Sequence, residues 1–126
     1  MSIFKDSEKV MQKVFEQTTN IVNINQANMY IKAVEEEFNE LKKAYVEKDY
    51  VEVLDGIIDV IVTATNLGLS LNMDLQGAWD EILKSNIAKI DLKSGKVNKR
   101  QDGKVIKPEG WQPPELKAFL PKLLKK

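Results

Sequence analysis

The sequence predicts an all-α fold: a four- to five-helix bundle with a short C-terminal β-hairpin and a Pro-rich tail, assembled as a homo-oligomer. Three observations predict it. Apolar residues recur at steps of three and four along most of the chain up to Asp91, the period of a half-buried helix. The stretch Val51–Leu69, VEVLDGIIDVIVTATNLGL, is apolar around roughly two-thirds of its circumference when wound as a helix, and needs cover on nearly all sides. After Asp91 the pattern changes, and Gln101-Asp102-Gly103 stands between two short β-prone runs, a hairpin signal.

The elements follow in order. Ser2 to Thr18 reads as a first helix, with Phe4, Val10, Met11, Val14 and Phe15 as its apolar side and Asp6 or Ser7 as its cap. Thr18 to Asn25, β-branched and Asn-rich, is a connection whose Asn25 can cap the next helix. Gln26 to Lys48 is the second helix, with Ile31, Val34, Phe38, Leu41 and Tyr45 on one face and Glu35, Glu36, Glu37 and Glu40 beside it. Asp49 can cap the third helix, and Gly68 or a neighbour ends it. Asp74 caps a fourth, from Leu75 to about Ile90, with Leu75, Trp79, Ile82 and Leu83 inward. Lys96–Arg100 and Lys104–Lys107 are the hairpin strands. Pro108, Gly110, Pro113 and Pro114 extend the tail, where Trp111 is an apolar anchor. Glu115 to Lys125 forms a last helix interrupted by Pro121. The whole is one domain, with a helical core over about 4–91 and the hairpin and tail over 92–126.

Composition narrows the chemistry. The 126 residues suit one core, and 43% apolar content is globular. No plan for a signal peptide is visible, and the acids of Val51–Leu69 argue against a membrane span, so the expected location is cytoplasmic. Net charge is zero, which implies no general affinity for nucleic acid. The chain has neither cysteine nor histidine. Thiolate and imidazole chemistry are therefore excluded, and catalysis must use carboxylates, amides, hydroxyls and lysines. Such oxygen donors suit hard cations such as Mg²⁺ or Mn²⁺.

One stripe of the apolar third helix is polar. Glu52, Asp55, Asp59 and Asn66 fall within a sector about 60° wide, with Gly56 and Thr63 at its edge. Acids in line on a buried helix repel and lose hydration, which is costly without a counter-charge. If helices two and three are antiparallel, Glu40 lies level with Asp55 and Glu37 with Asp59. Carboxylates from both could then share one ion across axes about 8–10 Å apart. Plainer accounts stand beside this one: Glu36 and Glu37 as solvated surface acids, Glu52 as a helix-dipole residue, and Asp55 and Asp59 as partners of lysines.

The acids EEEFNEL followed by EVLDGIID resemble the E-E-x-x-E and E-x-x-D metal motifs of the all-α nucleoside triphosphate pyrophosphohydrolases, which include MazG-like, dimeric-dUTPase-like and phosphoribosyl-ATP pyrophosphohydrolase-like enzymes. Lys84-Ser85-Asn86-Ile87-Ala88-Lys89 and GKVNKRQDGKVIKPEGWQPPEL resemble the helix end, hairpin and tail of short, phage-type MazG-like members, which would place the protein in a host cytoplasm. The resemblance spans about residues 27 to 116. It implies hydrolysis of a (d)NTP to a monophosphate and pyrophosphate with Mg²⁺, for which Mn²⁺ can substitute. By position it implies Glu37, Glu40, Glu52 and Asp55 as metal ligands, and Asp59 as a ligand of a second ion or through water. Glu36 is a further ligand or holds a water, and Glu36 or Glu37 is the general base. Asn86 and Lys89, with Lys84 as a second cation, would meet the phosphates or sugar. Lysines near a helix C-terminus also suit the dipole alone. The Pro-containing loop usual before helix two is replaced here by TTNIVNIN, and Gln17 is the candidate base contact. A homodimer or dimer of dimers would cover the apolar third helix. Two alternatives remain: a non-catalytic helical module with a structural cation, and a phosphoribosyl-ATP pyrophosphohydrolase, against which the hairpin and tail argue.

Overall fold

The computed structural model describes residues 2–125. The elements are helices α1 (Ile3–Lys13), α2 (Ile24–Val46), α3 (Tyr50–Ser70) and α4 (Leu75–Ile87), and the strands β1 (Asn98–Lys99) and β2 (Val105–Ile106). They gather into two compact units. Residues up to Leu75, with the segment from Leu120, form the first, and Gln76–Phe119 form the second.

In the first unit α1 is shorter than its apolar period predicts. It ends at Lys13 rather than Thr18, because Glu16 takes a left-handed φ of 54° and the Gln17 amide folds back 2.9 Å onto the Met11 carbonyl. Its cap is Ser2, whose hydroxyl accepts the Phe4 N–H at 3.2 Å, and not Asp6 or Ser7. Asn23 rather than Asn25 caps α2. Its Oδ1 accepts the Gln26 N–H at 3.0 Å, while its own N–H donates 2.7 Å to the Ser70 carbonyl and its Nδ2 3.1 Å to Thr18 Oγ1. Those tertiary partners start the helix before the position local sequence favours.

The turn between α2 and α3 sets their antiparallel pairing. Asp49 N–H reaches the Ala44 carbonyl at 3.0 Å and Lys48 N–H the Tyr45 carbonyl at 3.2 Å, the paired bonds of a Schellman turn. Lys48 holds the left-handed position at φ 59°, where glycine is usual. Asp49 then caps α3 as expected, accepting the Glu52 N–H at 3.3 Å. At its other end α3 stops at Ser70 through the same motif, with Asn72 at φ 52° and the Met73 amide 3.1 Å from the Gly68 carbonyl. Gly68 thus lies inside the helix and Asn72, which tolerates this conformation, ends it.

The core is small: Met11, Tyr30 and Leu69, with Ala33, Leu67 and Leu75 against them. The apolar face expected on α2 is only partly covered, since Ile31, Phe38 and Tyr45 are exposed at 52%, 49% and 69%. On α3, Leu54 at 64% and Ile58 at 50% are exposed too. One chain lacks the neighbours to cover two long helices on all apolar sides. Among the described residues α3 is the one helix long and apolar enough, by length and composition, to cross a membrane.

In the second unit α4 ends at Ile87 and not Ile90. The hairpin pairs Asn98 with Ile106 and Lys99 with Val105, antiparallel. Its turn is built as the Asp-Gly signal predicts: Gly103 takes φ 86°, and Asp102 accepts the Lys104 N–H at 3.0 Å. The predicted C-terminal helix is absent. Two 3₁₀ turns, Lys117–Phe119 and Lys122–Leu124, stand there instead, because Pro121 between them has no N–H to continue a helix.

Lys48 is the strained link of the α2–α3 turn. Lys48→Gly is expected to raise stability by about 1 kcal/mol, read as a later urea midpoint with an unchanged slope.

Candidate metal centre

Sequence places acids on two helices, and the packing decides which of them meet. Gly56 of α3 packs closely against α2. A Cβ there would lie 3.1 Å from Leu41 Cβ and 3.2 Å from Leu41 Cα. A side chain there would crowd Leu41, which would have to give by a few tenths of an ångström. Gly56 follows Asp55 and precedes Asp59, and Leu41 follows Glu40. The contact therefore fixes the register in which the acids of the two helices face each other.

Four acids share that interface. Glu37 and Asp59 are half-buried, and Glu40 and Asp55 are exposed beside them. Burial, first, pushes the Glu37 carboxyl above its ordinary value. The charges of Glu40 and Asp59, a side-chain hydrogen bond with Glu40 and the charge of Asp55 push the same way. Asp59 is raised by burial, then by a hydrogen bond with Asp55 and the charges of Asp55 and Glu40. No lysine or arginine forms a salt bridge with these acids among the described residues, where the ion pair is Arg100 with Asp102 at 3.0 Å. The plainer account of Asp55 and Asp59 as lysine partners does not hold in this structure.

The other expected ligands lie to the side. Glu52 is exposed in the first turn of α3, where its N–H is taken by the Asp49 cap. Glu36 is exposed on the flank of α2, about 100° around from Glu37, and lines a shallow 450 Å³ pocket with Asn25, Met29 and Lys32. As they stand, the acidic side chains among the described residues are not drawn into a group of three close enough to hold an ion. The donor set nevertheless fits a hard divalent cation: carboxylates only, mutually repelling, facing from two helices and lacking a cationic partner.

Further along the stripe, Thr63 satisfies its hydroxyl on the Asp59 carbonyl at 2.8 Å. Asn66 is 3% exposed, and its Oδ1 has no hydrogen-bond partner. Gln17 accepts a short hydrogen bond from the Tyr30 hydroxyl. In the second unit Lys89 Nζ donates 3.0 Å to Asn86 Oδ1, and Lys84 borders an 840 Å³ groove with Trp111 and Ser85. Trp111 is more than an apolar anchor, since its indole N–H donates 2.8 Å to the Ser85 carbonyl. Sequence reasoning missed Gly56 and Trp111 as structural determinants. A glycine within an otherwise bulky helix was the available signal for the first.

Two antiparallel helices face each other with acids in a chain without thiol or imidazole, and the comparison with known families gives their class, the all-α, MazG-like pyrophosphohydrolases. Residues 4–86 match the model of the phosphoribosyl-ATP pyrophosphohydrolase family, and the chain belongs to that family. It is accordingly a nucleotide pyrophosphohydrolase, a hydrolase acting on a phosphoric anhydride bond. No curated protein matches the sequence.

Two outcomes follow from this geometry. A carboxyl whose pKa is higher folded than unfolded binds more protons when folded, so rising pH between the two values destabilises the fold. Metal-free protein is expected to lose the Glu37 and Asp59 contributions as pH rises from their ordinary values of 4.5 and 3.8 through the raised ones. Urea midpoints across that range should fall less steeply for Glu37→Gln than for the wild type. Gly56→Ala is expected to destabilise by about 1–2 kcal/mol despite alanine's better helix propensity, because Leu41 backbone must move.

Proposed function

We propose that the protein hydrolyses a (d)NTP to the monophosphate and pyrophosphate with Mg²⁺, or Mn²⁺ in its place, in the cytoplasm. The observation that carries this reading is the set of four facing carboxylates without a cationic partner, in a chain of this family. Glu37, Glu40, Glu52 and Asp55 would hold the ion, with Asp59 joining directly or through water. A divalent ion held by these carboxylates would supply the charge that offsets the acids and a site for a triphosphate and an acidified water. Glu36 or Glu37 takes the proton of the water that attacks the α-phosphorus in line. Asn86, Lys89 and Lys84 cover the charge of the departing pyrophosphate, and Gln17 contacts the base. The exposed apolar faces of α2 and α3 support a homodimer or tetramer as the working form.

The family match favours a second reading, phosphoribosyl-ATP as substrate. The hairpin and Pro-rich tail lie beyond the matched residues and support the first.

The test is a release assay with Mg²⁺ or Mn²⁺ over the common (d)NTPs, dUTP and phosphoribosyl-ATP, measuring pyrophosphate and orthophosphate separately. Pyrophosphate from a (d)NTP is expected, lowered roughly a hundredfold or more in Glu40→Gln and Asp55→Asn. Orthophosphate alone, or turnover of phosphoribosyl-ATP alone, would overturn the (d)NTP reading. Full activity in EDTA would overturn the metal.

A further inference from the structure

The end of α4 does not run on as an α-helix. In a continued helix the Lys89 N–H would donate to the Ser85 carbonyl, four residues back. Instead it reaches the Asn86 carbonyl at 3.2 Å, and the Ile90 N–H reaches the Ile87 carbonyl at 3.2 Å. Bonds three residues back make a 3₁₀ turn. The Ser85 carbonyl is occupied by the indole N–H of Trp111, 2.8 Å away. The same ring lies under two ammonium groups, Lys89 Nζ at 5.5 Å from its centroid and Lys107 Nζ at 4.8 Å.

The change of helix type has a consequence for side chains. Residues three apart eclipse in a 3₁₀ turn, whereas in an α-helix they diverge by about 60°. Eclipsing sets Lys89 over Asn86, and the two join at 3.0 Å. A single tail residue, outside the residues matched to the family, thus touches both the Ser85 carbonyl and the Lys89 ammonium group.

We propose that Trp111 is a positioning residue for the phosphate-binding end of α4. Its N–H captures the Ser85 carbonyl, keeps residues 86–90 in the 3₁₀ turn, and so presents Lys89 beside Asn86 to the pyrophosphate half of a nucleotide. This rests on the reading of Asn86 and Lys89 as phosphate contacts. The ring keeps Lys89 placed without consuming its charge. A cation–π contact at a half-exposed site is weak, and a phosphate oxygen, which forms charge-assisted hydrogen bonds, displaces it.

The experiment uses the full chain with Trp79→Phe, which leaves Trp111 as the one indole of the two in the sequence. Titration with magnesium pyrophosphate is expected to change Trp111 emission saturably, and not in Lys89→Ala. Trp111→Phe keeps an aromatic face but has no N–H. It is expected to raise KM and the pyrophosphate inhibition constant roughly fivefold, to change kcat less than twofold, and to add nothing in a Lys89→Ala background. An equal loss with and without Lys89 would make Trp111 merely structural and overturn the inference. An unchanged KM in an active Trp111→Phe enzyme would also overturn it, and the proposed function would stand. A wild type that releases no pyrophosphate would instead sink the proposed function. The local claim is then decided by Lys89 acylation, read by peptide mass spectrometry: faster in Trp111→Phe supports it, and an equal rate overturns it.

Discussion

The structure turns on a conflict between two demands placed on the same helix faces. The α2–α3 interface must bury surface to hold the first unit together, and it carries Glu37, Glu40, Asp55 and Asp59. Burial and like charge both raise the cost of ionising those groups. A pair of lysines would settle the conflict cheaply, yet no salt bridge forms there among the described residues. Four acids on facing helices without an internal counter-charge support the proposal of a charge that comes from outside. Glycine at position 56 sharpens the point. It lets α3 pack tightly against Leu41 of α2 beside Asp55, where an added Cβ would crowd Leu41.

A second conflict has the same form at the level of surface. The helices that carry the acids are apolar on most of their remaining faces, and one chain covers only part of them. Phe38 is half exposed with Lys42 Nζ 4.9 Å from its ring centroid, a partial screen at best. The buried core is Met11, Tyr30 and Leu69. Packing against a second copy would extend that core and, by desolvating the acids further, would tie the proposed cation to assembly.

What the sequence made legible was whatever depends on local geometry. The heights of Glu37, Glu40, Asp55 and Asp59 follow from the helix rise and the turn near Lys48, and in the structure the four feel one another's charge without closing into a cluster tight enough for an ion. Asp49 as a cap and Asp102-Gly103 as a turn are short-range signals, and both act as such. What escaped depends on partners far along the chain. Asn23 outcompetes Asn25 because Ser70 and Thr18 hold it. Tyr45 belongs to the apolar period of α2 yet is exposed, because a period says that a face wants cover and not what supplies it. The composition of Trp111's surroundings suggested an anchor, but its bond to Ser85 could not be read from spacing.

The distribution of cationic groups completes the physical picture. The chain has no histidine, and Arg100, its one arginine, is engaged with Asp102. The cationic side chains left to meet a nucleotide's phosphates, beside any bound ion, are therefore lysines, whose flexible stems and point charge need external placement. Lys89 has that placement on three sides: its backbone N–H on Asn86, its ammonium on Asn86 Oδ1, and the Trp111 ring beneath. A hydrophobic tail residue thus does for lysine what the rigid guanidinium fork does for arginine, fixing direction before the anion arrives. On the proposed role of Lys89, the tail beyond the matched helical residues would belong to the working part of the molecule.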